Sequence, residues 1–189
     1  MDQKPIPRLQ EGNLLLSAPF LNDENFVRSV ILLCEHQDKG SFGFVINKPS
    51  ILHLGDLVKE LHFLDTEVFV GGPVEQNTLH FIYFGPQVIP GSKLLGEGIW
   101  WGGDFSVLIE QLKKGKIAEN QVKFFMGYSG WDEGQLEAEL TEKTWVVYSG
   151  ATSVDVFTNP SDQIWRRLMK GMGGEFEIQS NYPIDPRLN

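Results

Sequence analysis

The chain predicts an α+β fold, a single domain over residues 1–189 with a mixed, largely antiparallel sheet. Three observations carry that prediction. Strand-like apolar runs are interleaved with segments of helical periodicity, which sets the mixed class. Two of the runs are joined by Gln37-Asp38-Lys39-Gly40, a short glycine-ending loop that makes an antiparallel hairpin and rules out a purely parallel sheet. A hydrophobic content of 41% over 189 residues is enough for one real core.

Each element follows from local chemistry. Leu14 to Ala18 reads as a first strand. Residues 29–36 form a nearly continuous apolar run, the pattern of a strand buried on both faces. Ser41 to Asn47 supplies its hairpin partner. Leu57, Leu61 and Leu64 fall at helical spacing, after a start near His53 to Asp56. Glu67–Val70 and Leu79–Phe84 are strands around Gly71-Gly72-Pro73-Val74, whose glycines suit a tight turn or a close backbone approach.

Asp104 can cap a helix carrying Phe105, Leu108, Ile109 and Leu112, which Gly115 closes. Val122 to Tyr128 is a strand leading to a glycine turn at Gly130. Asp132 and Gln135 then form a variant capping box for a helix with Leu136 and Leu140 inward. Thr144–Tyr148 is the last strand. Asn159-Pro160-Ser161-Asp162 starts a helix that turns Ile164, Trp165, Leu168 and Met169 to the core and stops in Gly171–Gly174. Residues 176–189, with Pro183 and Pro186, are expected as an extended tail.

Bulk properties exclude several functions. A net charge of −9 disfavours direct nucleic-acid binding, which rests on lysine and arginine neutralising phosphates. The two basic groups, Lys113, Lys114, Lys116 and Arg166, Arg167, Lys170, sit where helix C-termini are expected and fit the macrodipole. No apolar run reaches the ~18 residues of a membrane span. The N-terminus shows no secretory pattern, and the single cysteine, Cys34, excludes an internal disulfide framework. A cytoplasmic protein is expected.

Catalytic motifs fail on inspection. Gly127-Tyr128-Ser129-Gly130 places its second glycine one residue too early for a nucleophile elbow. Gly71-Gly72 is followed by neither lysine nor helix, so it is no phosphate loop. Asp132 and Glu133 occupy the helix start that an anion would need. Cys34 and His36, two apart on a strand, would share a face, yet His53, His62 and His80 add no metal-ligand spacing, and no metal or cofactor is expected. As a nucleophilic pair the two lie about 6–7 Å apart at the backbone, beyond direct activation. Trp100, Trp101 and Phe105 beside Gly98, Gly102 and Gly103 are expected as core, with a pocket wall or subunit contact as alternatives.

The best polar cluster is Asp23, Arg28, His36 and Asn47. His36 and Asn47 are expected together at the open end of the hairpin, with Asp23 and Arg28 just upstream. The cluster is either a ligand site or a hydrogen-bond network holding loops.

Three segments carry a family resemblance. The first runs from Pro19-Phe20-Leu21-Asn22-Asp23 through Glu35-His36 to Gly43-Phe44-Val45-Ile46-Asn47-Lys48-Pro49. The second is Gly71-Gly72-Pro73-Val74. The third is Gly127-Tyr128-Ser129-Gly130-Trp131 with Gln135-Leu136-Glu137-Ala138-Glu139-Leu140 and Trp145. Together they resemble the YqgE/AlgH family of bacterial proteins over roughly residues 12–175. The resemblance implies a bent, partly bifurcated sheet folded into a pseudo-barrel, a cytosolic location, and no established catalytic residues. One member's name implies a link to transcriptional regulation of alginate production.

The expected function is therefore a non-enzymatic cytoplasmic module that binds a small molecule or a protein partner, with a regulatory role. One alternative is an enzyme using His36 as acid–base with Asp23 orienting it. Another is an indirect transcriptional or nucleic-acid-associated role through the basic groups. The oligomeric state is left open.

Overall fold

In the computed structural model, residues 8–157 and 160–184 are described, and ten strands pair into one sheet. The first five are β1 (Leu14–Ser17), β2 (Val30–Gln37), β3 (Gly40–Val45), β4 (Pro49–His53) and β5 (Glu67–Val70). The others are β6 (Val74–Phe84), β7 (Lys93–Gly96), β8 (Ile99–Trp101), β9 (Val122–Asp132) and β10 (Trp145–Tyr148). Helices are α1 (Leu54–Leu57), α2 (Phe105–Lys113), α3 (Gln135–Thr141), α4 (Ser153–Phe157), α5 (Ile164–Gly171) and α6 (Gly174–Gln179). The order is β10-β1-β2-β3-β9-β6-β8-β7, with β5 also on β9 and β4 on β5. Among the described residues only the β5–β9 pair is parallel. The α+β class holds.

The long strand β9 organises the bend. Its expected end at Tyr128 and turn at Gly130 are corrected, because the strand runs on to Asp132. Residues 124–126 lie between β5 and β6, whereas residues 129–132 pair with β3. Gly127 marks the changeover at φ +69°, where a Cβ would fall 2.7 Å from the carbonyl oxygens of Gly72 and Val74. Only glycine tolerates both conditions. From the other side, a Cβ on Gly72 would lie 2.2 Å from the Tyr128 carbonyl, so the expected close approach is observed. Here the sheet forks, with β3 and β5 end to end along one side of β9.

Both faces of the sheet are covered. On the inner face Val30, Leu32, Cys34, Phe44 and Phe125 pack with Ile164, Trp165, Leu168 and Met169 of α5. On the outer face α2 buries Leu108 and Leu112 against Phe81 and Phe124. The helix α3 buries Leu136 and Leu140 against Ile31, Leu33 and Trp131. Strand β2 is thus buried on both sides, as its composition requires. The sheet curls until Gly12 meets Leu95 of β7, and the Glu11 carboxylate accepts from Lys93 Nζ at 2.7 Å beside it. It does not close, and β10 and β7 remain its ends.

Local signals fared unevenly. Asp104 caps α2 as expected, accepting from the N–H groups of Ser106 and Val107. The helix expected through Leu57, Leu61 and Leu64 is corrected to the single turn of α1 and a 3-10 turn at Lys59–Leu61. Extended backbone at Val58 separates them and leaves Leu57 exposed while Leu61 is buried. Asn159, the expected cap, lies outside the described residues. Pro160 precedes a 3-10 turn at Ser161–Gln163 rather than opening α5. The expected tail is shortened, since α6 continues to Gln179, and residues 185–189 lie outside the described residues. Among the described residues no helix is long and apolar enough to cross a membrane.

Candidate functional site

The hairpin register decides which polar residues meet. Gln37 pairs with Gly40, so the loop is Asp38–Lys39 and His36 pairs with Ser41 beside it. Asn47 follows β3 at the other end, opposite Val30. At about 3.3 Å per residue the two lie roughly 20 Å apart along the hairpin. The expectation that both occupy the open end is corrected: Asn47 does, and His36 stands at the loop. His36 Nδ1 is 2.8 Å from Ser41 Oγ, and its Nε2 is 3.8 Å from Glu137 of α3. Asp23 is therefore not its orienting carboxylate. A bulge between Leu33 and Glu35 also turns Cys34 into the inner core and His36 toward α3, so they do not share a face. Burial pushes the Cys34 thiol well up, as for a core residue.

Asn47 meets the Arg28 main chain, whereas Asp23 and the Arg28 guanidinium make contacts of their own. Asn47 is buried, its Oδ1 accepting from Val30 N at 2.8 Å and its Nδ2 donating to the Arg28 carbonyl at 2.8 Å. Asp23 Oδ1 accepts from Asn25 N at 2.8 Å, which closes a local turn. Arg28 adopts φ +53°, a strained conformation for a non-glycine residue. Its guanidinium lies 3.9 Å from the Trp165 ring centroid and donates to the Tyr182 carbonyl. Its Nε is buried and has no acceptor among the described residues.

Beside this network opens a pocket of about 410 Å³ lined by Glu24, Asn25, Asn47, Lys48, Pro49, Val70 and Gly72. Lys48 went unnoticed in the sequence because a lysine before proline at a strand end looks solvated. Its Nζ donates to the carbonyls of Glu24 at 3.0 Å and Asn25 at 2.7 Å, leaving one N–H for an acceptor. Burial lowers its pKa, with Asp23 pulling the other way.

Lys123 is the other residue that was missed. Its Nζ donates to the Ile46 carbonyl at 3.0 Å and lies 4.4 Å from the Phe69 ring centroid. Burial pushes it down to about 7, opposed by Glu67. A lysine inside the apolar run Val122-Lys123-Phe124-Phe125-Met126 was the available signal. Three of the six residues in the basic groups are engaged locally: Lys114 with Glu110, Arg167 with Asp155 at 3.6 Å, and Arg166 with Asn181 at 2.7 Å.

Residues 14–177 match the AlgH-like family. The chain belongs to it. It is similar to the UPF0301 protein of Cytophaga hutchinsonii, 40% identical over 96% of this chain and 100% of that one. The UPF0301 protein of Chlorobium luteolum is 37% identical, covering 96% of each chain. Among solved structures, the AlgH protein of Pseudomonas aeruginosa matches with TM-score 0.72 and 25% identity, over 97% of this chain and 98% of its own. A Corynebacterium diphtheriae protein shares the fold at TM-score 0.81 and 23% identity, over 96% and 95%.

In this AlgH-like chain the most recognisable motif is structural. Glu139 Oε2 accepts from the indole N–H groups of both Trp131, at 2.8 Å, and Trp145, at 2.6 Å. Gln135 bridges the same elements, accepting from Asp132 N at 3.0 Å and donating to Glu139 at 2.8 Å. Half of the expected capping box forms, but Gly134 rather than Asp132 precedes α3. Ser129 is buried in β9 and donates to the Gly71 carbonyl at 3.1 Å, which fixes the fork.

Proposed function

We propose that this AlgH-like protein is a cytoplasmic, non-enzymatic binding module whose ligand seats against Lys48, with occupancy serving a regulatory role. The observation that carries the reading is how the polar groups of that pocket are used. Asn47 and Asp23 are committed to backbone groups of the loop, while Lys48 keeps a donor at a half-buried position. Among the described residues lining the pocket none is a serine, cysteine or histidine, and its titratable side chains are Lys48 and Glu24. A partly desolvated ammonium with one N–H to spare suits a carboxylate or phosphate oxygen. The apolar rim supports a second reading, a protein partner: Ile51 and Val70 stand exposed at 95% and 36%.

Thermal shift with a panel of small carboxylates and phosphate esters tests the first reading. A ligand at ~100 times its Kd adds about 2.7 kcal/mol, a rise of about 5–11 °C for a chain of this size. Lys48→Met abolishes the shift and leaves the ligand-free melting point within a few degrees. Silence across the panel, or a shift that survives Lys48→Met, counts against the Lys48 pocket.

A further inference from the structure

A second pocket, of about 340 Å³, opens where β8 leaves β6. The two strands pair only at Ile82–Phe84 and Ile99–Trp101, and the last contact is Gly102 N donating to the Phe81 carbonyl at 3.0 Å. Beyond it the chain turns away through Gly102 and Gly103, both at positive φ. Main-chain groups alternate sides along an antiparallel strand, so Leu79 turns its N–H and C=O to the same side as the Phe81 carbonyl. No strand meets them there among the described residues.

This open edge is one residue long. The glycine turn blocks it at one end. At the other, β6 is irregular between Val74 and Leu79, with Glu75 at φ +44° and Thr78 Oγ1 donating to the Glu75 carbonyl at 2.8 Å. A peptide strand needs a longer edge than that. A small ligand with one donor and one acceptor side by side needs no more.

The walls favour a flat ligand. Trp101 and His80 lie on the inner-face side of the sheet and Phe105 on the outer-face side, so a group lying in line with the strand is flanked by rings on both faces. The Thr78 hydroxyl proton is used on Glu75, so its oxygen accepts from His80 Nε2 at 2.9 Å and leaves Nδ1 an acceptor. The lining cation, Lys93, is already paired with Glu11. With that cation paired, a phosphate has little to gain from this lining.

We infer that this pocket binds an uncharged planar heterocycle of the nucleobase type, held edge-on by the Leu79 main chain between Trp101 and Phe105. Titration of the 15N-labelled full chain with adenosine, guanosine, cytidine and uridine, and with their 5′-monophosphates, tests it. At least one nucleoside shifts the Leu79 amide and the Trp101 indole N–H saturably, and its monophosphate binds several-fold more weakly. Trp101→Leu weakens that nucleoside by about tenfold or more, the loss of one stacking wall. Phe105→Leu provides the same test if Trp101→Leu does not fold, and Lys48→Met leaves nucleoside binding unchanged. The inference is overturned if no nucleoside moves the Leu79 amide, if both wall variants bind as the parent does, or if the monophosphate binds as tightly.

Discussion

At the scale of single residues, buried polar groups set the behaviour of this chain, and Lys123 is the sharpest case. Burial holds its folded pKa near 7, whereas an unfolded lysine titrates near 10.5. Between those values the unfolded chain carries a proton that the folded one lacks, so stability rises with pH across that window. The slope reaches about 1.4 kcal/mol per pH unit. Below pH 7 both states are protonated, the dependence ends and the cost of the buried charge is fully present. Urea unfolding of the parent and Lys123→Met from pH 7 to 9 reads this directly: the difference between them changes with pH in the parent's favour as pH rises. Cys34 acts oppositely, since its thiol is held above its ordinary value and stability falls once the unfolded thiol ionises. It is common to both proteins and cancels in the difference. A flat difference means the amine stays charged in the fold.

At the scale of elements, β9, α3 and β10 are joined by one carboxylate. Glu139 accepts from two indole N–H groups that lie on different strands, Trp131 and Trp145, both nearly buried. Glu139→Leu leaves both donors unpaired and costs about 2–6 kcal/mol, from a penalty of about 1–3 kcal/mol per unsatisfied buried donor. Glu139→Gln keeps one acceptor oxygen and costs less, and the tryptophan emission of the Leu variant shifts as its two indoles lose their partner. Equal stability of all three proteins would mean that water serves the indoles equally well. Such contacts explain what the sequence could and could not reveal. Asp104 was legible because a cap acts within three residues. Gly127 and Gly130 look like a turn, yet pairing on both sides of β9 carries the strand through them, an outcome set by distant partners. Asn47 was legible as the polar end of an apolar run, and it holds the Arg28 main chain just upstream of β2. His36 was misplaced although the loop at Gln37–Gly40 was read correctly, since a residue next to that loop stands at the closed end of the hairpin and its place was legible. Lys48 was passed over because its carbonyl partners belong to a loop some twenty residues upstream.

At the scale of the whole molecule, the curl of the sheet brings β7, one of its ends, against the segment before β1 at a seam with two components. One is the Glu11–Lys93 ion pair, partly exposed on both sides. The other is backbone contact, since a Cβ on Gly12 would lie 2.1 Å from the Leu95 carbonyl oxygen and φ there is +86°. Partly exposed ion pairs contribute about 0–1 kcal/mol, so Lys93→Met changes stability little. Gly12→Ala meets both a left-handed backbone and a carbonyl that cannot yield without moving β7, and costs about 2 kcal/mol or more. Hydrogen exchange separates the two components. In Gly12→Ala the amides of β7 and β8 lose protection while those of β2 and β3 keep theirs, whereas Lys93→Met leaves the pattern of the parent. Because Lys93, Trp101 and Gly103 line the pocket beside the seam, the same Gly12→Ala change loosens that pocket's wall. The Asn47–Lys48 pocket sits on the fork of β9 and is held by Gly71, Gly72 and the 23–28 loop, so it is unaffected. If β2 and β3 lose protection together with β7, the curled sheet opens as one cooperative unit and the seam is not a separate joint.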